Sequence, residues 1–374
     1  MKELLEILRA AEAGRARGEA MALATIVGVR GSTYRREGAR LLVGAGGTLT
    51  GNISGGCLEG DVQVVAGEVL ADGRPRLVTY DLTADDDLVW GLGLGCNGAI
   101  DVFVEPLDAR GLAGLAAMRD LAAAERTAAL VTVLAPAAAA GTRLTVYPDG
   151  TLEGALPAAG AADRVRRTAL AVLAEGQSRR TTVESDAGLL DVFVEVVRPP
   201  VRLVVCGAGH DAIPLVARAV ELGWRVVVVD RREAFLTPER FPGARFLQVP
   251  FREAGAALPA DERTAVVVMT HNYLHDRDVL RGLLTRPAPH PFYVGLLGPR
   301  LRTEKMLAEL AAEGVTVPPA LASRLFAPVG LDIGSEGPDE IALAAVAEII
   351  AAERGRPGGF LRERRAPIHA PAPS

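Results

Sequence analysis

The hydrophobic positions change period several times along the chain, and each change predicts an element. Leu4, Leu5, Leu8 and Ala11 recur at helical spacing and predict a helix over about Lys2–Glu19. Ala22–Val29 then reads as a strand, Leu41–Val43 as another after a loop, and Gly44–Gly47 as a turn. Leu58, Val62, Val65 and Val69 predict a helix behind a glycine-rich stretch, and Ile100–Glu105 alternates as a half-buried strand does. Helical patterns follow at about Gly111–Glu125 and Ala162–Glu175, around a strand at Ala129–Leu134. Leu190-Asp191-Val192-Phe193-Val194-Glu195 nearly repeats Ile100–Glu105. That echo reads either as one strand in two related layers or as chance, because the flanks do not match.

From Val201 the pattern becomes continuous apolar runs, Val201–Cys206, Trp224–Val229, Thr264–Met269 and Phe292–Leu296, separated by helical segments. Strands alternating with helices predict a parallel sheet covered on both faces. Pro338 followed by Asp339 and Glu340 marks the start of a helix running to Glu353, since a missing N–H costs nothing there and acids suit a helix N-terminus. Arg198-Pro199-Pro200 reads as a linker. The expected fold is α/β: an N-terminal α/β domain over 1–197, least informative between 107 and 197, then a Rossmann-like doubly wound parallel sheet over 198–354. An Arg- and Pro-rich tail, 355–374, is expected to be disordered.

Composition narrows the classes. At 374 residues two domains are the default, and 49% hydrophobic with 23% charged residues is ordinary for a globular protein. A formal charge of −5 provides no basic field for nucleic acid. Three cysteines without CxxC spacing indicate neither a disulfide framework nor a zinc ribbon and fit a cytoplasmic setting. The N-terminus has no signal-peptide layout and no apolar run spans a bilayer, so no membrane partner is expected.

The candidate chemistry clusters at glycine turns. Gly51-Asn52-Ile53-Ser54-Gly55-Gly56-Cys57-Leu58-Glu59 places Cys57 before a helix, where unpaired N–H groups either hold an anion or favour a thiolate; a small buried cysteine is the plainer alternative. Gly95-Cys96-Asn97-Gly98 frames a second cysteine alike. Arg35, Arg36 and Arg40 lie in a loop that either clamps phosphate or is a solvated hairpin tip. Gly207-x-Gly209-x-x-Ala212 after a strand, with Asp230 closing the next strand, is the dinucleotide-binding fingerprint. Asp230 would accept a ribose hydroxyl, while Arg231 and Arg232 leave NADP open. His210 either faces a ligand or caps the turn. Thr270 and His271 lie beyond a strand's carboxyl end, where open sheets bind ligands, and His271 and His275 are spaced to share a helical face.

With these motifs placed, the chain resembles the XdhC/CoxI family of xanthine dehydrogenase accessory proteins, most specifically at Ser54–Asp61 and Gly330-Leu331-Asp332-Ile333-Gly334. Asn97, where the family pattern has glycine, and Tyr273 and His275 after Thr270-His271 depart from it. The resemblance implies binding of molybdenum cofactor, support of its sulfuration, and delivery to a molybdenum hydroxylase such as xanthine dehydrogenase, with a cysteine desulfurase as a further partner. Under it, Cys57 and Cys96 face the cofactor's molybdenum or its sulfur, with Ser54, Gly55 and Gly56 around them. Arg35, Arg36 and Arg40 meet its phosphate, and the Gly207–Gly209 turn with His210, Asp230, Thr270 and His271 holds NAD(P), another nucleotide or the pterin phosphate. A cofactor chaperone stands ahead of a catalyst, and a homodimer is the default assembly. An NAD(P)-dependent oxidoreductase and a nucleotide-sensing regulatory protein are the alternatives.

Overall fold

The computed structural model describes residues 2–81, 98–156, 160–186, 188–365 and 368. The chain divides into two compact units, Met1–Pro199 and Pro200–Ser374.

The first unit begins with α1 (Lys2–Ala16), β1 (Met21–Gly31), β2 (Arg40–Gly44), β3 (Leu49–Gly51), α2 (Glu59–Asp72), β4 (Arg76–Asp81) and β5 (Gly98–Pro106). It continues with α3 (Ala109–Ala123), β6 (Ala128–Ala135), β7 (Arg143–Val146), β8 (Leu152–Gly154), α4 (Ala161–Glu175), β9 (Arg179–Ser185) and β10 (Gly188–Val197). These are two passes of one motif. The sheets run β3-β2-β1-β5-β4 and β8-β7-β6-β10-β9, the same order with the same antiparallel partners.

The equivalence holds residue by residue. Thr25 pairs with Arg40 and Phe103, and Thr132 pairs with Arg143 and Phe193. Leu41 lies opposite Gly51, and Leu144 opposite Gly154; both glycines have left-handed φ, +84° and +100°. A Cβ on either would run into the carbonyl of Arg40 or Arg143, so the strand crossing demands glycine twice. Val62, Ala66 and Val69 of α2 and Val165, Ala169 and Val172 of α4 are all fully buried. The echo between Ile100–Glu105 and Leu190–Glu195 is thus the same strand in two like layers.

Strand alternation sorts the two faces. Ala22, Ala24, Ile26, Val102 and Val104 pack with Val62, Ala66 and Val69, while Ala129, Val131, Val133, Val192 and Val194 pack with Val165, Ala169 and Val172. The opposite faces meet each other through Val27, Phe103, Leu134 and Phe193. Polar residues sit in this layer in reciprocal pairs: Arg40 donates to Glu195 and Arg143 to Glu105. Arg40, expected in a phosphate-clamping loop, is therefore corrected. It opens β2, is buried, and points between the sheets.

The second unit is one parallel sheet of order β13-β12-β11-β14-β15-β16. Its elements are β11 (Arg202–Cys206), α5 (Ala212–Glu221), β12 (Arg225–Asp230), β13 (Arg245–Gln248), α6 (Phe251–Ala257), β14 (Thr264–Val268), α7 (Tyr273–Thr285), β15 (Tyr293–Leu296), α8 (Arg300–Ala312), α9 (Pro319–Ala322), β16 (Leu325–Phe326) and α10 (Pro338–Glu353). Apolar clusters cover both faces, which is why its central strands read as unbroken Val, Leu and Ala runs. The chain moves outward from β11 in one direction and returns to β14 on the other side, so the switch point lies between those strands. Beyond α10, Gly358 lies against Leu331 and a single turn forms at Leu361–Glu363.

Candidate functional site

The two copies of the first unit differ where chemistry is concentrated. From Gly51 to Val62 and from Gly154 to Val165 the chain crosses from strand to helix in the same number of residues. The first copy does so with Asn-Ile-Ser-Gly-Gly-Cys-Leu-Glu-Gly-Asp, the second with Ala-Leu-Pro-Ala-Ala-Gly-Ala-Ala-Asp-Arg. Residues 157–159 of the second crossing lie outside the described residues, but its sequence joins Gly154 to Val165 over the same length without the serine, the paired glycines, the cysteine or the glutamate. Between β4 and β5 the first copy has the sixteen residues 82–97, which lie outside the described residues, where the second copy has only 186 and 187 between β9 and β10.

The first copy's loop is braced from inside. Ser54 is buried; its hydroxyl donates to Glu59 and accepts the N–H groups of Gly56 at 3.2 Å and Leu58 at 3.1 Å. Glu59 Oε1 accepts the N–H of Ser54 at 2.9 Å and of Ile53 at 3.3 Å, and its other oxygen accepts that of Leu58 at 3.3 Å. Four of the loop's amides, those of Ile53, Ser54, Gly56 and Leu58, are thus committed to Ser54 and Glu59 and do not face outward for an anion. Cys57 stands partly exposed directly before the N-cap Leu58, with part of its surface against the sheet–helix core. Gly55 and Gly56 are exposed, with open space where a Cβ would be.

Glu3, in the first turn of α1, joins two loops. It accepts the Asn52 N–H at 3.2 Å and the guanidinium of Arg35. Arg36 is half-exposed beside Glu37 at 3.5 Å. Arg30 is held at 2.9 Å by Asp101, which also receives Thr79 at 2.7 Å and Arg180 at 2.8 Å. Burial alone would raise the Asp101 carboxyl, but these donors prevail and keep it below the ordinary range. Arg30 and Arg36 are the guanidinia most open to solvent at this end. The sequence signal for Asp101 was an acid on the inward face of an alternating strand. Glu3 and Glu59 had only helix first-turn positions to mark them. Cys96 lies outside the described residues.

In the second unit, Gly207 has φ +118° and allows no Cβ, because the Met269 carbonyl stands there. Asp230 departs from expectation. It is fully buried; Oδ2 accepts the Ala208 N–H at 2.8 Å and Arg232 Nη2 at 2.9 Å, and Oδ1 accepts the Arg232 N–H and Nε. Despite burial, these bonds hold its carboxyl below the usual range. Asp230 braces the glycine turn, and a ribose hydroxyl would have to displace Arg232.

His271 precedes the helix instead of lying on it: Asn272 is the N-cap of α7 and accepts the His275 N–H at 3.1 Å, so His271 and His275 do not share a helical face. His271 Nε2 lies 2.7 Å from Asp211 Oδ2, and its ring borders Gly209. Thr270 is tied to Asp276, its N–H at 3.1 Å and hydroxyl at 2.6 Å. His210 is exposed, and Cys206 is buried in β11 with its thiol pushed up by burial. Asp211 and Asp276 were not singled out in the sequence. Among the described residues no group of three or more His, Cys, Asp or Glu could hold a metal ion, and no helix is long and apolar enough to cross a membrane.

A duplicated sheet layer with a cysteine loop in one copy, followed by a doubly wound sheet of the dinucleotide-binding type, defines a two-unit α/β protein. The sequence profile of the XdhC and CoxI family matches residues 14–81 and 121–185, one stretch in each copy, and that of the XdhC Rossmann domain matches 203–349. The chain belongs to the XdhC/CoxI family. It is 34% identical over 342 residues to a probable xanthine dehydrogenase subunit of Bacillus subtilis, covering 89% of this chain and 93% of that protein. It is 24% identical over 343 residues to the molybdenum cofactor insertion chaperone PaoD of Escherichia coli, covering 92% and 86%. A crystal structure of a xanthine dehydrogenase from Bacillus halodurans superposes with a TM-score of 0.77 at 30% identity, covering 94% of this chain and 96% of that one.

Proposed function

We propose that the chain is an accessory protein of a xanthine dehydrogenase-type molybdenum hydroxylase, which takes up molybdenum cofactor, supports its sulfuration and delivers it. The observation that carries this reading is the Ser54–Glu59 loop, whose cysteine and bracing residues occur in one copy and are replaced in the other without change of spacing. The donor set suits the cofactor: molybdenum takes sulfur ligands, and Cys57 offers a partly exposed thiol. Because four of the loop amides are used internally, the cofactor's phosphate falls to guanidinia: Arg36, half-exposed beside Glu37, is the most open of the expected three, while Arg35 is tied to Glu3, Arg30 to Asp101, and Arg40 is withdrawn. Cys96 enters as a second sulfur on the strength of sequence alone.

Relatives support this reading by what they are called, an insertion chaperone and a dehydrogenase subunit. The proposal extends to a cysteine desulfurase as sulfur donor, a homodimer and a cytoplasmic setting, which co-purification, sedimentation and fractionation test. NAD(P) has weaker support in the second unit, since Asp230 is locked by Arg232 and the Asp211 carboxylate occupies the start of α5.

The decisive comparison is cofactor retention by the full chain purified from cofactor-replete cells, measured as molybdenum and pterin per chain. Cys57→Ala should retain at least about tenfold less than wild type at an unchanged melting temperature, and Cys96→Ala should fall in the same direction. Retention equal to wild type in Cys57→Ala removes that thiol from the site and the reading with it.

A further inference from the structure

The second unit holds a pair of side chains that the cofactor reading does not use. His271 follows β14 with φ +58°, one of two non-glycine residues in the left-handed region among the described residues. For a bulky L residue that conformation costs about 1–2 kcal/mol and persists only where the surroundings impose it. They do so on both sides. Thr270 is pinned to buried Asp276, which is also paired with Arg302 at 2.5 Å, and Asn272 is pinned as the α7 cap. The imidazole is thereby turned toward the start of α5, where Asp211 meets Nε2 at 2.7 Å.

The Asp211 side chain is only 16% exposed, whereas that of His271 is 53% exposed. In the neutral imidazole a carboxylate on Nε2 selects the tautomer protonated at that nitrogen, which leaves the lone pair on Nδ1. The pair sits at the switch point between β11 and β14, beyond the strands' carboxyl ends, where parallel sheets take ligands. Gly209 borders the ring with bare, partly exposed backbone; a Cβ there would come within 3.4 Å of the imidazole Cδ2. Next in the chain, Asn272 has its Oδ1 engaged by the helix cap, so its amide NH2 remains as donor.

We propose that His271 and Asp211 form a recognition dyad for a flat heterocycle carrying a ring lactam, an N–H beside a C=O, of the purine or pterin type. His271 Nδ1 accepts the ring N–H, Asn272 donates to the neighbouring carbonyl, and Asp211 fixes the tautomer that leaves the lone pair facing the crevice. The ring lies along the glycine turn. This inference rests on the cofactor reading only for the choice of pterin as one probe; the purine probe stands without it.

The test is calorimetric titration of the full chain with 6-hydroxymethylpterin and with guanosine, each beside its counterpart methylated on the lactam nitrogen. At least one parent heterocycle should bind, with its methylated counterpart at least tenfold weaker. His271→Ala should weaken the parent at least tenfold and Asp211→Asn several-fold. His271→Asn, which tolerates the left-handed backbone, guards against a folding defect and should weaken binding as His271→Ala does. Pterin-only and guanosine-only binding both support the dyad and identify the source. Failure of both parents to bind, or a Kd within twofold in the methylated probe or in both His271 variants, overturns it. Cofactor retention that still depends on Cys57 would then leave the function proposal standing alone.

Discussion

Glu59 shows what one side chain does for the cysteine loop. Burial works to raise its carboxyl, but the Ser54 hydroxyl and the amides of Ser54 and Ile53 prevail and hold it below its ordinary 4.5. A carboxyl depressed in the folded chain stabilises the fold above the unfolded pKa, and that contribution is lost as pH falls through the folded value. The loop should therefore loosen in acid before the sheets do. Glu59→Gln removes the charged acceptor at all pH values and should cost the loop about 1–2 kcal/mol. Amide exchange at Ile53, Ser54 and Leu58 reads this directly: faster exchange is expected in the variant, and below pH 4.5 in wild type. Unchanged protection would mean that Ser54 alone holds the turn.

At the scale of elements, the two sheets meet across reciprocal ion pairs. Arg40 reaches Glu195 and the Gly38 carbonyl at 2.7 Å, and Arg143 reaches Glu105 and the Gly141 carbonyl at 3.0 Å. Burial pushes the Glu105 carboxyl up, against the pull of Arg143 and Arg40. Removing one partner strands the other, so Glu105→Ala should destabilise the first unit by about 3–5 kcal/mol in urea unfolding. Replacing both, Glu105→Leu with Arg143→Met, should cost clearly less than Glu105→Ala alone. Equal losses would show that the pair contributes no more than its packing volume. The strands that carry these residues were legible from alternation, because a face repeats every second residue. The duplication was written in the chain too: Gly-x-Arg-Leu-x-Val, then Gly-Thr-Leu-x-Gly, occurs from Gly38 to Gly51 and from Gly141 to Gly154. The near-repeat of Ile100–Glu105 at Leu190–Glu195 belongs to the same pattern, and the copies differ elsewhere because they keep residues only where a turn or a buried contact demands them.

At the scale of the whole molecule, each unit has apolar clusters of its own: among the described residues, five belong to the first and two to the second. Each unit thus has the means to fold alone. Residues 200–365 expressed without the rest should give one cooperative urea transition with native-like near-ultraviolet dichroism. A broad, non-cooperative loss of signal would show that the second unit depends on the first. The family profile matching one stretch in each copy of the first unit agrees with a duplicated layer.

Local spacing by itself determined the strands, the glycine turns, the helix starts and the βαβ unit around Gly207, because those signals lie within a few residues of one another. Which charge meets which was decided only in three dimensions. Arg40 looked free for phosphate and belongs to Glu195; Asp230 looked free for ribose and is held by Arg232 and a turn amide; His271 looked like half of a helical pair and is held by Asp211. Except for Arg232, these partners lie tens of residues away or more. A charged group's role depends on what packing brings within about 3 Å of it, and no periodicity encodes that distance.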